Sequence, residues 1–174
     1  ILENELSIIR LDAELKGESP AFPEELSVSH PQAIADQMAI FHAREQQQNA
    51  EMGLLQSQYE QRSREVEELT GRKRQTERSL ALAVEQRNIA APLMQRKIYS
   101  RVDYLGLEQK VVSLQGDIES LASSIPKAQA AAEEAKQRLT LRKAEMEAEI
   151  NAEISKRRTE LNSLKETLAA GGDR

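Results

Sequence analysis

Hydrophobic residues recur along this chain at alternating steps of three and four, the spacing of a helix with one apolar face. Eighteen positions between Ile34 and Met94 follow this rule, and twelve of them are apolar, well above the 39% of the whole chain. The pattern predicts one long amphipathic helix. Its seam positions are Ile34, Met38, Phe41, Glu45, Gln48, Met52, Leu55, Tyr59, Arg62, Val66, Leu69, Lys73, Thr76, Leu80, Ala83, Arg87, Ala90 and Met94.

A second seam follows the same rule and then changes its step. Three successive steps of four between Arg142 and Ile154 amount to a four-residue stutter, which locally unwinds a coiled coil. Two helices with such seams bury them against each other. The second seam comprises Leu107, Val111, Leu114, Ile118, Leu121, Ile125, Ala128, Ala132, Ala135, Leu139, Arg142, Met146, Ile150, Ile154, Arg157, Leu161, Leu164 and Leu168.

A short stretch between the two seams predicts a turn. Ser100 with Asp103 three residues later has the pattern of a capping box, in which both side chains satisfy backbone N–H groups at a helix start. A helix that begins at Ser100 requires a turn over residues 96–99. The chain should therefore fold into an antiparallel hairpin of helices 31–95 and 100–170, with facing residue numbers that sum to roughly 198.

The first 30 residues predict a short extra helix followed by a loop. A helical stripe of four apolar residues precedes Gly17, a common residue at helix ends, so we expect helix 1–17. Residues 18–30 contain two prolines and three serines and predict an ordered loop. Ser29 with Gln32 has the pattern of a second capping box, and Pro31 fits the first helical turn. We expect Gly171 and Gly172 to end the last helix.

These elements define the expected architecture. The two long helices match each other in length, so neither leaves a free end on which the first helix could stack. The first helix should therefore pack beside the hairpin at its base. The expected fold class is all-α, a long antiparallel two-helix coiled coil with a short extra helix, forming one domain over residues 1–174.

The composition excludes several other classes of protein. Aromatic residues make up 3% of the chain, there is no Trp, and charged residues reach 30%, so a large compact core is not expected. The net charge of −5 argues against a general nucleic-acid binder, and no apolar run is long enough to span a bilayer. The chain opens with Ile in mid-pattern and lacks a signal peptide, which we interpret as part of a longer protein.

Residues suited to catalysis or metal binding are scarce. The chain has no Cys and no glycine-rich phosphate loop, and its two histidines, His30 and His42, fit a helix start and a solvated helix face. Two long helices also offer no concave pocket. We therefore expect no enzymatic activity, no catalytic residues, no cofactor and no metal.

A basic group near the predicted turn stands out because the chain as a whole is acidic. Arg96, Lys97 and Arg101 lie within six residues, with Leu93 and Ile98 beside them. One interpretation is a solvated turn whose charges prevent aggregation. The other is a docking end aimed at an acidic partner, with apolar contact from the two aliphatic residues.

Several short motifs, taken together, resemble one family. Arg10-Leu11-Asp12-Ala13-Glu14, followed by Gly17 and Phe22-Pro23, resembles the RLxAE…G…FP segment of HlyD-type periplasmic adaptors, the membrane fusion proteins of type I secretion systems. The closest resemblance is to the protease and lipase exporter branch. Further matching positions are Gln37, Phe41, Arg44, Pro92, Leu93, Ser100, Leu105, Leu107, Glu108, Leu114 and Gly116.

The resemblance implies a function and binding partners, which the periodicity alone does not reveal. Such adaptors are anchored in the inner membrane of Gram-negative bacteria, and their hairpin crosses the periplasm between two halves of a lipoyl-like domain. Hexamers form a tube above an ABC transporter, and the hairpin tip meets a TolC-like outer-membrane channel. Membrane contact would then come through segments outside this chain, and Asp173-Arg174 would lead toward a lipoyl half.

The family's tip pattern is only partly present. Adaptors often carry Arg-x3-Leu-x6-Ser; Leu93 and Ser100 have this spacing, but Ile89 occupies the Arg position and Arg87 lies two residues earlier. An Arg-centred contact is therefore not expected. The expected channel-binding residues are Leu93, Arg96, Lys97, Ser100 and Arg101.

Two other classes of protein remain open. A coiled-coil spacer or spectrin-like rod would share the seams and need no special tip. A nucleic-acid-binding helical arm would use a basic run, which is present at Arg72, Lys73, Arg74 and Arg78, although the acidic balance opposes it.

Helix-weakening residues also face each other across the predicted hairpin. Pro126 falls opposite Gly71 and Arg72, and Pro92 falls opposite Gly106. The pairing is either a coincidence or marks two shared bends in the hairpin.

Overall fold

The computed structural model describes residues 1–172, and Asp173-Arg174 lie outside the described residues together with the expectation about them. The described chain forms four helices: α1 (Leu2–Lys16), α2 (Glu24–Ser29), α3 (Pro31–Gln95) and α4 (Arg101–Gly172). None of residues 1–172 lies in a β-strand. The chain divides into two units. Ile1–Gln56 and the segment from Arg138 onward form the first, which we name the three-helix unit after α1, α3 and α4 and which also contains the short α2. Ser57–Gln137 form the second, the two-helix unit.

The three-helix unit is built around α1. Its fully buried Leu11 packs with Ile150 and Ile154 of α4, and Leu15 lies against this cluster. α1 also contacts the start of α3 through Arg10. The short helix therefore packs beside both long helices, as the length argument predicted.

The end of α1 follows from Gly17. This residue has φ +70°, a left-handed conformation that glycine adopts without steric cost. The N–H of Gly17 donates to the carbonyl of Glu14 at 3.3 Å, and the N–H of Glu18 donates to that of Ala13 at 3.0 Å. This pair of bonds is the Schellman motif, which satisfies carbonyls that the last helical turn leaves without partners.

Ion pairs between α3 and α4 fix their antiparallel register in the three-helix unit. Arg44 pairs with Glu153 at 3.2 Å, and Glu51 pairs with Arg142 at 2.6 Å. These residue numbers sum to 197 and 193, close to the predicted value. The antiparallel hairpin is therefore confirmed.

The burial pattern also confirms both seams. Among the eighteen predicted positions of α3, Glu45 and Arg62 are the exposed exceptions. In α4 the positions through Leu161 are buried or half-buried, whereas Leu164 and Leu168 are exposed, so the seam prediction is wrong for these last two turns.

The two-helix unit has a thin core. Its buried side chains are mostly small: Ala83, Ala90, Val111, Leu121 and Ala128. Two helices alone shield only a narrow strip of side chains from water. The small residues at this seam also let the two helix backbones approach closely. Within residues 1–172, no helix is long and apolar enough to cross a membrane.

The predicted loop 18–30 is wrong in part because it contains α2. Pro23, with φ −55°, precedes the helix. The carboxylates of Glu24 and Glu25 in the first turn stabilise the helix by interacting with the positive end of its dipole. The predicted capping box at Ser29 also does not form. Its hydroxyl donates to the carbonyl of Glu25 at 2.9 Å, because the residue ends α2 and does not start α3.

The predicted end of α4 also differs. Gly171 and Gly172 belong to the helix, whereas the sequence pattern placed its end at them. A glycine costs about 1 kcal/mol in a helix interior, which weakens a long helix without breaking it.

Candidate functional site

The turn between α3 and α4 is closed by backbone hydrogen bonds. The N–H of Lys97 donates to the carbonyl of Met94 at 3.0 Å, and the N–H of Ile98 donates to that of Leu93 at 2.9 Å. The N–H of Tyr99 also donates to the Leu93 carbonyl, at 3.2 Å. α3 therefore ends in the same motif as α1, with Lys97 in the position that Gly17 holds there.

Lys97 is unusual in this position. Its φ is +62°, and no other non-glycine residue of the described chain has a positive φ. A side chain in the left-handed conformation costs roughly 1–2 kcal/mol relative to glycine. The turn thus carries an exposed cation where backbone geometry alone favours a residue without a side chain.

Ser100 begins α4 as the sequence predicted. Its hydroxyl accepts a hydrogen bond from the N–H of Asp103 at 3.4 Å, the N-capping half of the predicted box. Its carbonyl accepts from the N–H of Tyr104 at 2.9 Å, which starts the helical ladder. The role of Ser100 in this structure is that of a cap.

A groove of about 620 Å³ lies beside the turn within the two-helix unit. It brings Lys97 and Arg101, two of the predicted site residues, together with aromatic and apolar side chains. Tyr104 donates a hydrogen bond to the Glu108 carboxylate at 3.1 Å, and this bond raises the pKa of Tyr104 above its usual value. The lining residues are Met94, Gln95, Lys97, Tyr99, Arg101, Tyr104, Leu105 and Glu108.

The other predicted site residues lie elsewhere on the turn. Leu93 is half-buried in the last turn of α3, Arg96 is exposed, and Ser100 is exposed at the start of α4. Neither Leu93 nor Arg96 lines the groove. Sequence reasoning missed Tyr99 and Tyr104, although two of the chain's three tyrosines within six residues of the turn were an available signal.

A second group of polar residues, which we name the polar clasp, joins α1, α3 and α4 in the three-helix unit. Arg10 of α1 donates from Nε to the Gln37 side-chain oxygen at 2.8 Å and from Nη1 to Glu14 at 2.7 Å. Glu14 also lies 3.2 Å from Arg44 of α3, which pairs with Glu153 of α4. The clasp is therefore a chain of alternating charges across the unit.

Burial makes the clasp energetically important. The side chains of Arg10 and Glu14 are 5% and 3% exposed, and Gln37 is buried. Buried charges are costly unless each is paired, so removing one member leaves its partner without compensation. The clasp explains four motif residues that the resemblance singled out without a structural reason: Arg10, Glu14, Gln37 and Arg44.

The remaining charged features form local or cross-helix pairs. In the basic run, Arg72 pairs with Glu68 at 3.0 Å and Lys73 with Glu77 at 3.8 Å, so acidic neighbours on the same helix offset these charges. Arg142 bridges to Glu51, and hydrogen bonds to Glu51 and Glu149 raise the pKa of its guanidinium.

The histidines lie where the sequence suggested. The carbonyl of His30 accepts the N–H of Ile34 at the start of α3, and His42 is largely exposed, 3.8 Å from Glu45. No cluster of side chains in residues 1–172 has the composition of a metal site.

A comparison with known protein families finds one whose pattern covers the whole chain. The family described as AprE, long alpha-helical hairpin, matches residues 1–174. The chain belongs to the AprE long helical hairpin family. This membership confirms the resemblance drawn from the motifs at the level of the hairpin.

The AprE-type hairpin is also similar to a solved structure. The soluble domain of LipC, a membrane fusion protein of a type I secretion system, superposes with a TM-score of 0.80 at 20% sequence identity. The alignment covers 97% of the AprE-type hairpin and 82% of the LipC chain. No curated protein matches the sequence.

Proposed function

We propose that this chain is the periplasmic hairpin of a membrane fusion protein, which links an inner-membrane ABC exporter to a TolC-like outer-membrane channel for one-step protein secretion. The match of the AprE hairpin family to the whole chain carries the proposal. The LipC fold supports it, since that protein belongs to a type I secretion system. An adaptor of this kind binds and positions partners and needs no catalytic residue.

The turn is the part of the hairpin that we assign to the channel. Arg96, Lys97 and Arg101 give it positive charge in a chain of net charge −5, and complementary charge favours an acidic entrance on the partner. Lys97 supports this assignment, because a purely structural turn would favour glycine at its positive φ. Leu93 and Ser100 complete the proposed contact.

The proposal also places the protein in the cell. The hairpin would lie in the periplasm of a Gram-negative bacterium, as part of a protein anchored in the inner membrane through segments outside this chain. Copies would assemble as a hexamer around the export path. Nucleic acid is not a proposed partner, because the chain is acidic and two of the four residues of its basic run, Arg72 and Lys73, pair with glutamates on the same helix.

Substitutions at the turn test the docking assignment. In the full-length protein, Leu93→Asp and the double reversal Arg96→Glu with Lys97→Glu should sharply reduce export while adaptor abundance stays normal. Lys97→Gly removes the charge and also relieves the strain of a side chain at positive φ, so it separates the loss of charge from a loss of turn stability. It should reduce export while raising thermal stability.

A matched charge reversal away from the turn serves as the control. Arg64→Glu changes an exposed residue that pairs with Glu60 on the same helix at 3.6 Å, and export should be nearly unchanged. Normal secretion by all the turn variants would overturn the docking assignment. It would favour the alternative of a coiled-coil spacer with a solvated turn.

A further inference from the structure

The groove beside the turn concentrates the aromatic side chains of the chain. The protein has three tyrosines, two phenylalanines and no Trp, and two of the tyrosines, Tyr99 and Tyr104, line this groove together with Met94. All three residues are half-buried, so part of each side chain remains open to a partner. Tyr, Met and Arg are enriched in the cores of protein interfaces, whereas a turn that only faces water needs none of them.

Charge distinguishes the two ends of this groove. Lys97 and Arg101 lie at the end nearer the turn, and the positive end of the α4 dipole lies there too. Neither cation forms an ion pair with an acidic side chain in residues 1–172. Glu108, the one acidic residue that lines the groove, lies two helical turns beyond Arg101, roughly 10 Å along α4. Glu108 already accepts the hydrogen bond of Tyr104 at 3.1 Å, so the cationic end is the one that lacks a partner of opposite charge.

The backbone adds an independent reason to assign a role to the cationic end. Lys97 lines the groove with φ +62°, a conformation that glycine would adopt without strain. A strained residue of this kind points to a function of its side chain. Leu93 and Arg96, which the sequence indicated as contacts, do not line the groove.

The composition of the groove fits a protein segment better than a free anion. Two cations suffice to hold an inorganic anion, but such an ion would leave the apolar surface of Met94, Tyr99 and Tyr104 uncovered. A segment that carries a carboxylate beside an apolar side chain satisfies the cations and covers that surface together.

We propose that this groove is the specificity-determining part of the turn and holds one acidic side chain of the outer-membrane channel. The carboxylate lies between Lys97 and Arg101, and an adjacent apolar side chain of the same channel segment packs on Tyr99 and Tyr104. Glu108 repels a second acidic side chain at the far end, so the groove favours one orientation of the segment. This inference rests on the proposed docking of the turn to the channel and assigns the contact to residues that the basic charges alone did not indicate.

Photochemical cross-linking tests which residues touch the channel. p-Benzoylphenylalanine, a photoreactive amino acid that keeps an aromatic ring, replaces Tyr99 or Tyr104 in the full-length protein, in cells that contain the exporter and the channel. After irradiation, both positions should form adducts with one channel segment that contains Asp or Glu, identified by mass spectrometry. The matched control is the same replacement at Val102, which is 77% exposed on the first turn of α4 but does not line the groove, and it should give far less adduct.

A charge exchange tests the acidic side chain itself. Arg101→Glu should reduce the adaptor–channel complex recovered from cells at least about tenfold, because it places like charges together. The variant keeps its fold, since an acidic residue is favourable in the first turn of a helix. Exchanging the acidic residue of the cross-linked channel segment for Lys should restore the complex. The same channel change should not restore Arg96→Glu, which alters an exposed cation outside the groove.

The outcomes separate the groove from channel docking as such. Channel adducts from Val102 as strong as those from both tyrosines, or from Val102 alone, would reject the groove and leave docking at the turn in place. Adducts of the tyrosines with a second copy of this chain or with the exported polypeptide would overturn the proposal, as would a channel segment without Asp or Glu or a failed charge exchange. No channel adduct from any of the three positions, in cells with normal export, would reject docking at the turn as well.

Discussion

Glu14 shows how one carboxylate can hold three helices together. It is nearly fully buried, binds Arg10 of its own helix at 2.7 Å and lies 3.2 Å from Arg44 of α3. Arg44 reaches on to Glu153 of α4. Because each charge lies beside an opposite charge, burying the network costs less free energy than burying a single unpaired charge would.

Replacing Glu14 with Gln should therefore destabilise the protein. The amide keeps the shape but removes the negative charge, leaving Arg10 buried without a carboxylate. Breaking such a pair costs about 3 kcal/mol, which should appear as a lower midpoint in chemical denaturation. Glu18→Gln, on an exposed residue just beyond α1, should change stability by less than about 0.5 kcal/mol. Equal effects of the two substitutions would show that the clasp contributes nothing specific.

At the scale of elements, the long helices could be predicted because their signal repeats many times. Each seam has eighteen positions, so an interruption by polar residues such as Lys73 and Thr76 does not hide the period. Gly17 and Ser100 could be predicted as a helix end and a helix start because each acts through local backbone chemistry.

Other features could not be predicted because they depend on contacts distant in sequence. Arg142 interrupts the apolar seam, and its bridge to Glu51 joins residues 91 apart. The clasp likewise joins Arg44 to Glu153 over 109 residues. α2 has six residues, too short for a periodic pattern to distinguish it from a loop. At the turn, the basic charges were visible in the sequence, but the groove beside Tyr104 required the fold.

Pro126 allows a prediction for α4. The helix passes through this residue without interruption, and the proline is exposed. Pro126→Ala should raise stability by up to about 3 kcal/mol, because alanine restores a backbone donor and relieves the clash of the ring with the preceding turn. Thermal denaturation measures the change.

A neighbouring substitution isolates the effect of the proline. Ser123→Ala, on an exposed residue of the same helix, should raise stability by only a few tenths of a kcal/mol. A lower melting temperature for Pro126→Ala would mean that the proline makes a specific local packing contact. The hypothesis of shared bends with Gly71 would then be wrong.

At the scale of the whole molecule, the two units differ in the apolar surface they bury. The three-helix unit contains Leu6, Leu11, Ile150 and Ile154 in its interior, together with the clasp. The interior of the two-helix unit is dominated by Ala83, Ala90 and Ala128, with few larger residues. Alanine removes little apolar area from water, so each turn of the two-helix unit gains little stability from burial.

The chain should therefore be highly helical but only weakly cooperative when it unfolds. Circular dichroism should show strong helical signal at low temperature and a broad melt, because the two-helix unit opens at a lower free-energy cost than the three-helix unit. Hydrogen exchange should locate the difference, with backbone amides of 57–137 exchanging faster than those of α1 and the facing part of α4. Glu14→Gln should reduce this contrast by weakening the more stable unit. A single sharp transition above about 90 °C, with uniform protection along both long helices, would contradict the argument from buried area.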